Sequence, residues 1–149
     1  MEFSGSTIRN LDPKGRLMLP PDFRELLAAC GSENKVVLNC LDGCVFAYPA
    51  PRWKEIKAHL SSLVKSLNPK LRGFGRKMTG NAMEVELDEQ GRINIPRTHI
   101  DYAQLAHKVT ILGQEERFEI WDPSRLERTK DQDFDIADEL AASGIEFSL

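Results

Sequence analysis

The sequence predicts an α+β chain, rich in β-structure, assembled from two copies of one small unit around a helical connection. Three observations carry this reading. First, Leu11-Asp12-Pro13-Lys14-Gly15-Arg16-Leu17-Met18-Leu19-Pro20 recurs as Leu87-Asp88-Glu89-Gln90-Gly91-Arg92-Ile93-Asn94-Ile95-Pro96 at an offset of 76. Second, Lys35-Val36-Val37-Leu38 matches Lys108-Val109-Thr110-Ile111, and Val45-Phe46-Ala47-Tyr48 matches Phe118-Glu119-Ile120-Trp121, both at an offset of 73. A single three-residue deletion in the second copy accounts for the change of offset. Third, Trp53, Ile56, Leu60, Leu63, Val64 and Leu67 recur at three- and four-residue spacing between the copies, the period of an amphipathic helix. The chain therefore divides into a first repeat at 3–50, a helical linker at 51–80, a second repeat at 81–123 and an acidic C-terminal tail at 124–149.

Each copy reads as strand, tight turn, strand, short helix and β-hairpin. Asp12-Pro13-Lys14-Gly15 has the residues that a type I turn prefers, with Asp first, Pro second and Gly fourth. Beyond the turn, side chains alternate across the strand. Leu17 and Leu19 share one face, and Ile93 and Ile95 share its counterpart, so Arg16, Met18, Arg92 and Asn94 fall on the face away from the core. Pro20 and Pro21 stop the first of these strands, and Asp22 to Ala29 follows as a helix ended by Gly31. Thr98 to Ala106 holds its shorter equivalent. Val36 to Asn39 and Val45 to Tyr48, around Leu41-Asp42-Gly43, read as a hairpin, with Thr110 to Leu112 and Phe118 to Trp121 as its copy. In the linker, one helix runs from about Pro51 to Ser66. A second is announced by Asn68 as N-cap and Pro69 at the first helical position, and closes at Gly80. Gly73 and Gly75 inside it each cost on the order of 1 kcal/mol relative to Ala.

Composition excludes several classes. At 149 residues and 41% hydrophobic content, the chain can bury a core. No apolar run approaches the roughly 20 residues that cross a bilayer, so no membrane partner is expected. Cys30, Cys40 and Cys44 form no CxxC pair and no signal peptide precedes them, which points to a reducing, cytoplasmic setting without disulfides. His59, His99 and His107 have no metal-ligand spacing, Gly73-Phe74-Gly75 lacks the rest of a dinucleotide fingerprint, and no nucleophile–base arrangement is present. Neither enzymatic chemistry, nor a cofactor, nor a small-molecule substrate is therefore expected.

The net charge of −3 conceals a segregation. Glu127, Asp131, Asp133, Asp135, Asp138, Glu139 and Glu146 face only Arg128 and Lys130, so the last 23 residues carry −5 and the first 126 carry +2. From Ile56 to Met83, Lys57, Lys65, Lys70, Arg72, Arg76 and Lys77 occur without one acidic residue. Such a run alone reads first as a solvated helix face. The repeated Asp-x-x-Gly-Arg is more informative. Asp12 and Asp88 accept hydrogen bonds from their own turns, Gly15 and Gly91 permit conformations that a Cβ resists, and Arg16 and Arg92 follow on the outward face. The plainer reading is a local Asp–Arg staple. The duplication favours paired guanidinium groups suited to phosphates or guanine edges.

The Leu-Asp-x-x-Gly-Arg-x-x-x-Pro segment resembles the signature of AbrB-like, swapped-hairpin DNA-binding domains. Two such copies, with Asn68-Pro69 between them and with Leu112-Gly113-Gln114 and Phe118-Glu119-Ile120-Trp121-Asp122 after, are similar to the MraZ family of transcriptional regulators, from about Phe3 to Arg125. The resemblance implies two pseudo-symmetric units forming one double-psi-like barrel, with a helical linker and a helical C-terminal segment. It implies a bacterial regulator of a division and cell-wall gene cluster that binds double-stranded DNA at tandem repeats in its own promoter. Self-association into a ring and a nucleoid location follow from the same likeness. Carried over residue by residue, it places DNA contact on Arg16 with Lys14, and on Arg92 in the second copy. Arg9, Arg72 and Arg76 complete the expected set. Pro13 and Lys14 become Glu89 and Gln90, so the second turn is the less basic. The apolar linker stripe is open to two uses, a seam between protomers or packing on the chain's own β core. A protein-interaction or antitoxin-like module for an acidic partner stands as the alternative function. An enzyme using Asp12 or Asp88 as general base ranks last.

Overall fold

The computed structural model describes residues 2–131 and 134–146; the remaining part of the expected tail, including Asp133, lies outside the described residues. Strands β1 (Ser6–Asn10) and β2 (Arg16–Met18), helix α1 (Pro21–Ala29), and strands β3 (Lys35–Leu41) and β4 (Cys44–Pro49) make the first copy. Helices α2 (Ala50–Val64) and α3 (Pro69–Gly80) follow. Strands β5 (Met83–Glu86) and β6 (Arg92–Asn94), helix α4 (Arg97–Ala103), and strands β7 (Lys108–Gln114) and β8 (Arg117–Trp121) make the second copy, before α5 (Pro123–Lys130) and α6 (Ala137–Ser143).

The two copies are interlocked rather than placed side by side. Six strands form one antiparallel sheet in the order β1-β7-β8-β4-β3-β5, so the first strand of each copy pairs with the hairpin of the other. A separate ribbon pairs β2 with β6. In the ribbon Leu17 lies opposite Ile93, and in the β4–β8 ladder Phe46 lies opposite Glu119. Both are pairs of equivalent residues, so a pseudo-two-fold axis passes through both ladders. The ladders do not close into the expected barrel among the described residues. β1 and β5 remain as edges of the sheet, and Pro20 and Pro96, which have no N–H to donate, stop β2 and β6 after three residues.

Both faces of the sheet are covered. On one face, Leu17, Leu19, Ile93 and Ile95 of the ribbon pack with Phe23 of α1 and Ile100 of α4 against Val36, Leu38, Val45, Ile111, Phe118 and Ile120. On the other, Trp53 and Leu60 of α2, Met78 of α3 and Leu126 of α5 cover Val37, Phe46, Tyr48 and Trp121. This decides the use of the linker stripe. Trp53 and Leu60 are buried within the chain, and Ile56 and Leu63 pack beside them. It also explains Glu119, whose carboxylate is buried at the pseudo-axis yet accepts from Arg117 Nε and Nη2 at 2.9 and 2.8 Å and from Trp121 Nε1 at 2.9 Å.

The segment from residue 124, read as an acidic C-terminal tail with helical character, begins with the docked helix α5. Leu126 is buried, and Arg125 Nη1 donates to the carbonyls of Gly43 and Tyr102 at 3.0 and 3.2 Å. Among the helices of the described residues, only α6 has no buried residue. The hairpin turn is tighter than expected, since β3 runs through Leu41 and only Asp42 and Gly43 make the bend, both at positive φ. Helix α3 begins as its sequence demands, with the Asn68 side chain accepting from the N–H of Lys70 and Leu71. Its two glycines differ. A Cβ on Gly75 would lie 3.0 Å from the backbone nitrogen of Val64 and 3.2 Å from Leu63 Cβ, so Gly75 is where α3 meets the end of α2, whereas Gly73 faces open space. Gly73→Ala is expected to stabilise the chain by roughly 0.5–1 kcal/mol, raising the melting temperature by about 1–4 °C. Gly75→Ala gives up that gain by pushing the helices apart. Equal gains at both positions in calorimetry contradict the close contact.

Candidate nucleic-acid interface

The two Asp-x-x-Gly-Arg turns are built alike. In the first, Gly15 N–H closes the turn on the Asp12 carbonyl at 2.9 Å, and Asp12 Oδ1 accepts from the backbone N–H of Lys14 and Arg16 at 3.0 and 2.8 Å. In the second, Gly91 N–H bonds the Asp88 carbonyl at 2.9 Å, and Asp88 Oδ1 accepts from Gln90 and Arg92, both at 2.9 Å. Gly15 and Gly91 stand at φ of +83° and +80°, the left-handed region that glycine enters without strain. Each turn is also gripped by the opposite copy. Leu19 N–H donates to the Gly91 carbonyl at 3.1 Å and Ile95 N–H to the Gly15 carbonyl at 2.8 Å.

The second carboxylate oxygen fixes the arginine. Arg16 Nε donates to Asp12 Oδ2 at 2.6 Å, and Arg92 Nε to Asp88 Oδ2 at 2.8 Å. The local staple therefore exists in both copies. It engages Nε alone, and the terminal nitrogens of both guanidinium groups have no hydrogen-bond partner among the described residues. Both carboxyls are held below the usual value of 3.8, first by the hydrogen bond from the backbone N–H of Arg16 or Arg92, against a smaller opposing effect of partial burial.

Register places the arginines on one surface. In the ribbon, Arg16 is opposite Asn94 and Met18 opposite Arg92, while Leu17 and Ile93 point to the core at 0% exposure. Arg16 and Arg92 are thus diagonal neighbours, about 7–8 Å apart by strand geometry. Lys14 and Gln90 project from the two turns, exposed, at opposite ends of this face. Asn94 and Met18 share it. The alternation that located Arg16 and Arg92 also located these two, but nothing in their residue types marked them as functional in the sequence.

The remaining expected cations are dispersed. Arg72 Nη1 donates to the carbonyls of Ser66 and Leu67 at 3.1 Å each, tying down the α2–α3 connection, and Arg76 is exposed on the same helix. Helix α3 covers the sheet face opposite to the ribbon, so these two do not join the turns within one chain. Arg9, on edge strand β1, is half-buried, lines a shallow cleft with Pro20, Pro21 and Asp22, and has a buried Nε without a partner. Sequence reasoning passed over Arg24. This α1 residue lies against Gly91, where a Cβ would come within 2.5 Å of Arg24 Nη1 and 2.6 Å of its Cδ.

Among the described residues no group of His, Cys, Asp and Glu has the arrangement of a metal site, and no helix is long and apolar enough to cross a membrane. Cys30, Cys40 and Cys44 are free, and burial pushes the thiols of Cys40 and Cys44 up, away from the reactive thiolate. His99 is buried, and its Nε2 donates to the Asn81 carbonyl at 2.8 Å.

Comparison with known proteins agrees with this duplicated architecture. The family model described as "MraZ protein, putative antitoxin-like" matches residues 3–76 and 78–142. The match extends past Arg125, where the sequence resemblance had ended, into the acidic segment. A transcriptional regulator MraZ of Nitratidesulfovibrio vulgaris is 50% identical over 150 residues, covering 100% of both chains. One from Oleidesulfovibrio alaskensis is 44% identical over 100% of both, and one from Lactiplantibacillus plantarum is 39% identical over 97% of this chain and 99% of its own. The chain belongs to the MraZ family.

Proposed function

We propose that the chain is a sequence-specific, double-stranded-DNA-binding transcriptional regulator, with the outward face of the β2–β6 ribbon as its reading surface. The observation that carries this is the pair of diagonal arginines, Arg16 and Arg92, each oriented through Nε with its terminal nitrogens open. A two-stranded ribbon fits the major groove, where a guanidinium bonds guanine O6 and N7, an amide such as Asn94 bonds adenine, and an apolar group such as Met18 meets a thymine methyl. Lys14, exposed beside the first turn, suits a backbone phosphate. In this reading the exchange of first strands between the copies is the swapped-hairpin arrangement. The targets are tandem repeats upstream of a division and cell-wall gene cluster, read by a ring of identical chains. One ribbon offers few cations. Several on one scaffold make later contacts intramolecular and raise avidity without new chemistry. Arg9 and Arg76 reach DNA in this scheme only where a neighbouring protomer or a bent duplex approaches them. The antitoxin-like description of the family supports a second reading, in which the same face holds an acidic protein.

A gel shift with the DNA upstream of the chain's own gene separates the two. Arg16→Ala is expected to weaken binding by about 1–3 kcal/mol, and Arg92→Ala by less, because the second turn lacks the lysine. Raising salt from about 50 to about 200 mM should lower affinity by several orders of magnitude. Binding unchanged in both variants overturns the assignment, and a salt-independent affinity removes its electrostatic basis.

The turns also predict a pH response. A carboxyl lowered in the folded state contributes stability above its unfolded value and loses it as pH falls through the folded value. Asp12 and Asp88 are both lowered from 3.8, so their contribution holds throughout the neutral range and disappears only below about pH 4. Carboxyl carbon chemical shifts followed by NMR should titrate below 3.8 for both residues; a midpoint above that value contradicts the hydrogen-bonded turn.

A further inference from the structure

We infer that Arg24, carried on α1 of the first copy, is a DNA-contacting cation of the second turn and supplies the positive charge that this turn lacks, with Gln90 standing where the first turn has Lys14. The inference rests on the DNA-binding reading above and extends it to a residue outside the repeated motif.

The two turns share a backbone but not a charge. Around the first, Asp12 faces Lys14 and Arg16; around the second, Asp88 and Glu89 face Arg92 alone. By its own residues the second turn has two carboxylates against one guanidinium, which repels phosphate. The element beneath each turn belongs to the opposite copy. Under Gly15 this is α4, whose Ile100 Cδ1 would lie 3.2 Å from a Cβ at that glycine. Under Gly91 it is α1, and the residue at the position equivalent to Ile100, by the offset of 76, is Arg24. Its Cδ and Nη1 lie against Gly91, between Gln90 and Arg92 in the chain, so the guanidinium rests on the turn itself. Where one copy spends this position on a core isoleucine, the other spends it on a cation at the surface.

Arg24 has no counter-ion of its own. Among the described residues it forms no ion pair, and its Nε is buried without a hydrogen-bond partner, in contrast to Arg16 and Arg92, which are stapled to Asp12 and Asp88. An orphaned donor at a half-buried guanidinium is costly unless an acceptor arrives. The terminal nitrogens, which also have no partner among the described residues, are the ones a backbone phosphate at the second turn would meet, in the strong, charge-assisted manner of guanidinium groups.

The test is fluorescence anisotropy on a labelled duplex carrying the upstream DNA, over a salt series, with the full chain. Arg24→Met keeps the stem against Gly91 and removes the charge. It is expected to weaken binding roughly three- to tenfold at moderate salt, and to reduce the salt slope by about one phosphate contact per engaged protomer. Adding Gln90→Lys to that variant returns a cation to the same turn and should recover the affinity and the slope, a result that lost packing cannot mimic. Arg24→Met with wild-type affinity and slope overturns the inference, and so does a double variant that stays as weak as the single one. Arg16→Ala in the same assay separates the levels. If Arg16→Ala is weakened and Arg24→Met is not, the DNA reading stands and the role of Arg24 falls. If neither variant is weakened, both fall.

Discussion

The pairing of Leu17 with Ile93 across the pseudo-two-fold axis is the constraint from which the rest follows. Strand side chains alternate, so a slip of one residue in this ribbon would bury Arg16 and Arg92 and expose the apolar set. Two interactions forbid the slip. Leu17, Leu19 and Ile93 are fully buried, with Ile95 nearly so, and the ribbon ends are tied by reciprocal bonds from Leu19 and Ile95 to the carbonyls of Gly91 and Gly15. Burying each of these side chains contributes roughly 1.5–3 kcal/mol, which exceeds what an ion pair at a protein surface generally contributes. The hydrophobic core, not the ion pair, therefore decides where the arginines stand. Because each half of the ribbon comes from a different copy, and each first strand pairs with the other copy's hairpin, neither repeat completes its own fold.

Given that placement, the aspartates have a narrower task. A free arginine side chain loses up to about 2 kcal/mol of rotamer entropy when it is immobilised. In the proposed DNA complex, holding Nε in advance would remove part of that cost from binding, at the expense of a carboxylate that offsets some of the attraction to phosphate. The balance favours geometry over raw charge. Under the DNA-reading assignment it suits recognition of base edges by the terminal nitrogens, while unpaired cations such as Lys14 supply the attraction to the backbone.

The duplication, the turn chemistry and the outward direction of Arg16 and Arg92 were legible because each is local: a turn signature, a period of two, and an offset repeated along the chain. Helix α3 was legible for the same reason, from Asn68 and Pro69. What escaped was everything that depends on packing between distant segments. The burial of Glu119 carried no signal in the sequence, and becomes explicable only when α2, α3 and α5 are found covering the second face of the sheet. The linker stripe was ambiguous because an apolar helix face does not say what it faces. The docking of α5 was hidden by the acidic composition after it. Gly75 looked like a helix defect and is a contact point. Arg24 sits in an ordinary helical pattern, and only the exchange of elements between copies carries it to the other turn.

The pseudo-symmetry and its violations bear on what kind of DNA sequence such a ribbon reads. A ribbon with identical halves would dock in either orientation and favour a palindrome, since symmetry in the protein is mirrored in its site. This one has Arg16 and Met18 on one strand, Arg92 and Asn94 at the matching positions of the other, and Lys14 at one end where Gln90 over Arg24 stands at the other. Methionine and asparagine offer different partners to a base pair, one apolar and one hydrogen-bonding. The face therefore has a direction, and under the DNA-reading assignment one orientation on the duplex is preferred. A directional reader repeated by head-to-tail contacts, the kind that close into rings, meets its target in the same sense each time. Such an assembly would match direct repeats rather than inverted ones, so under the proposed reading the polarity of the ribbon and a tandem arrangement of sites would go together.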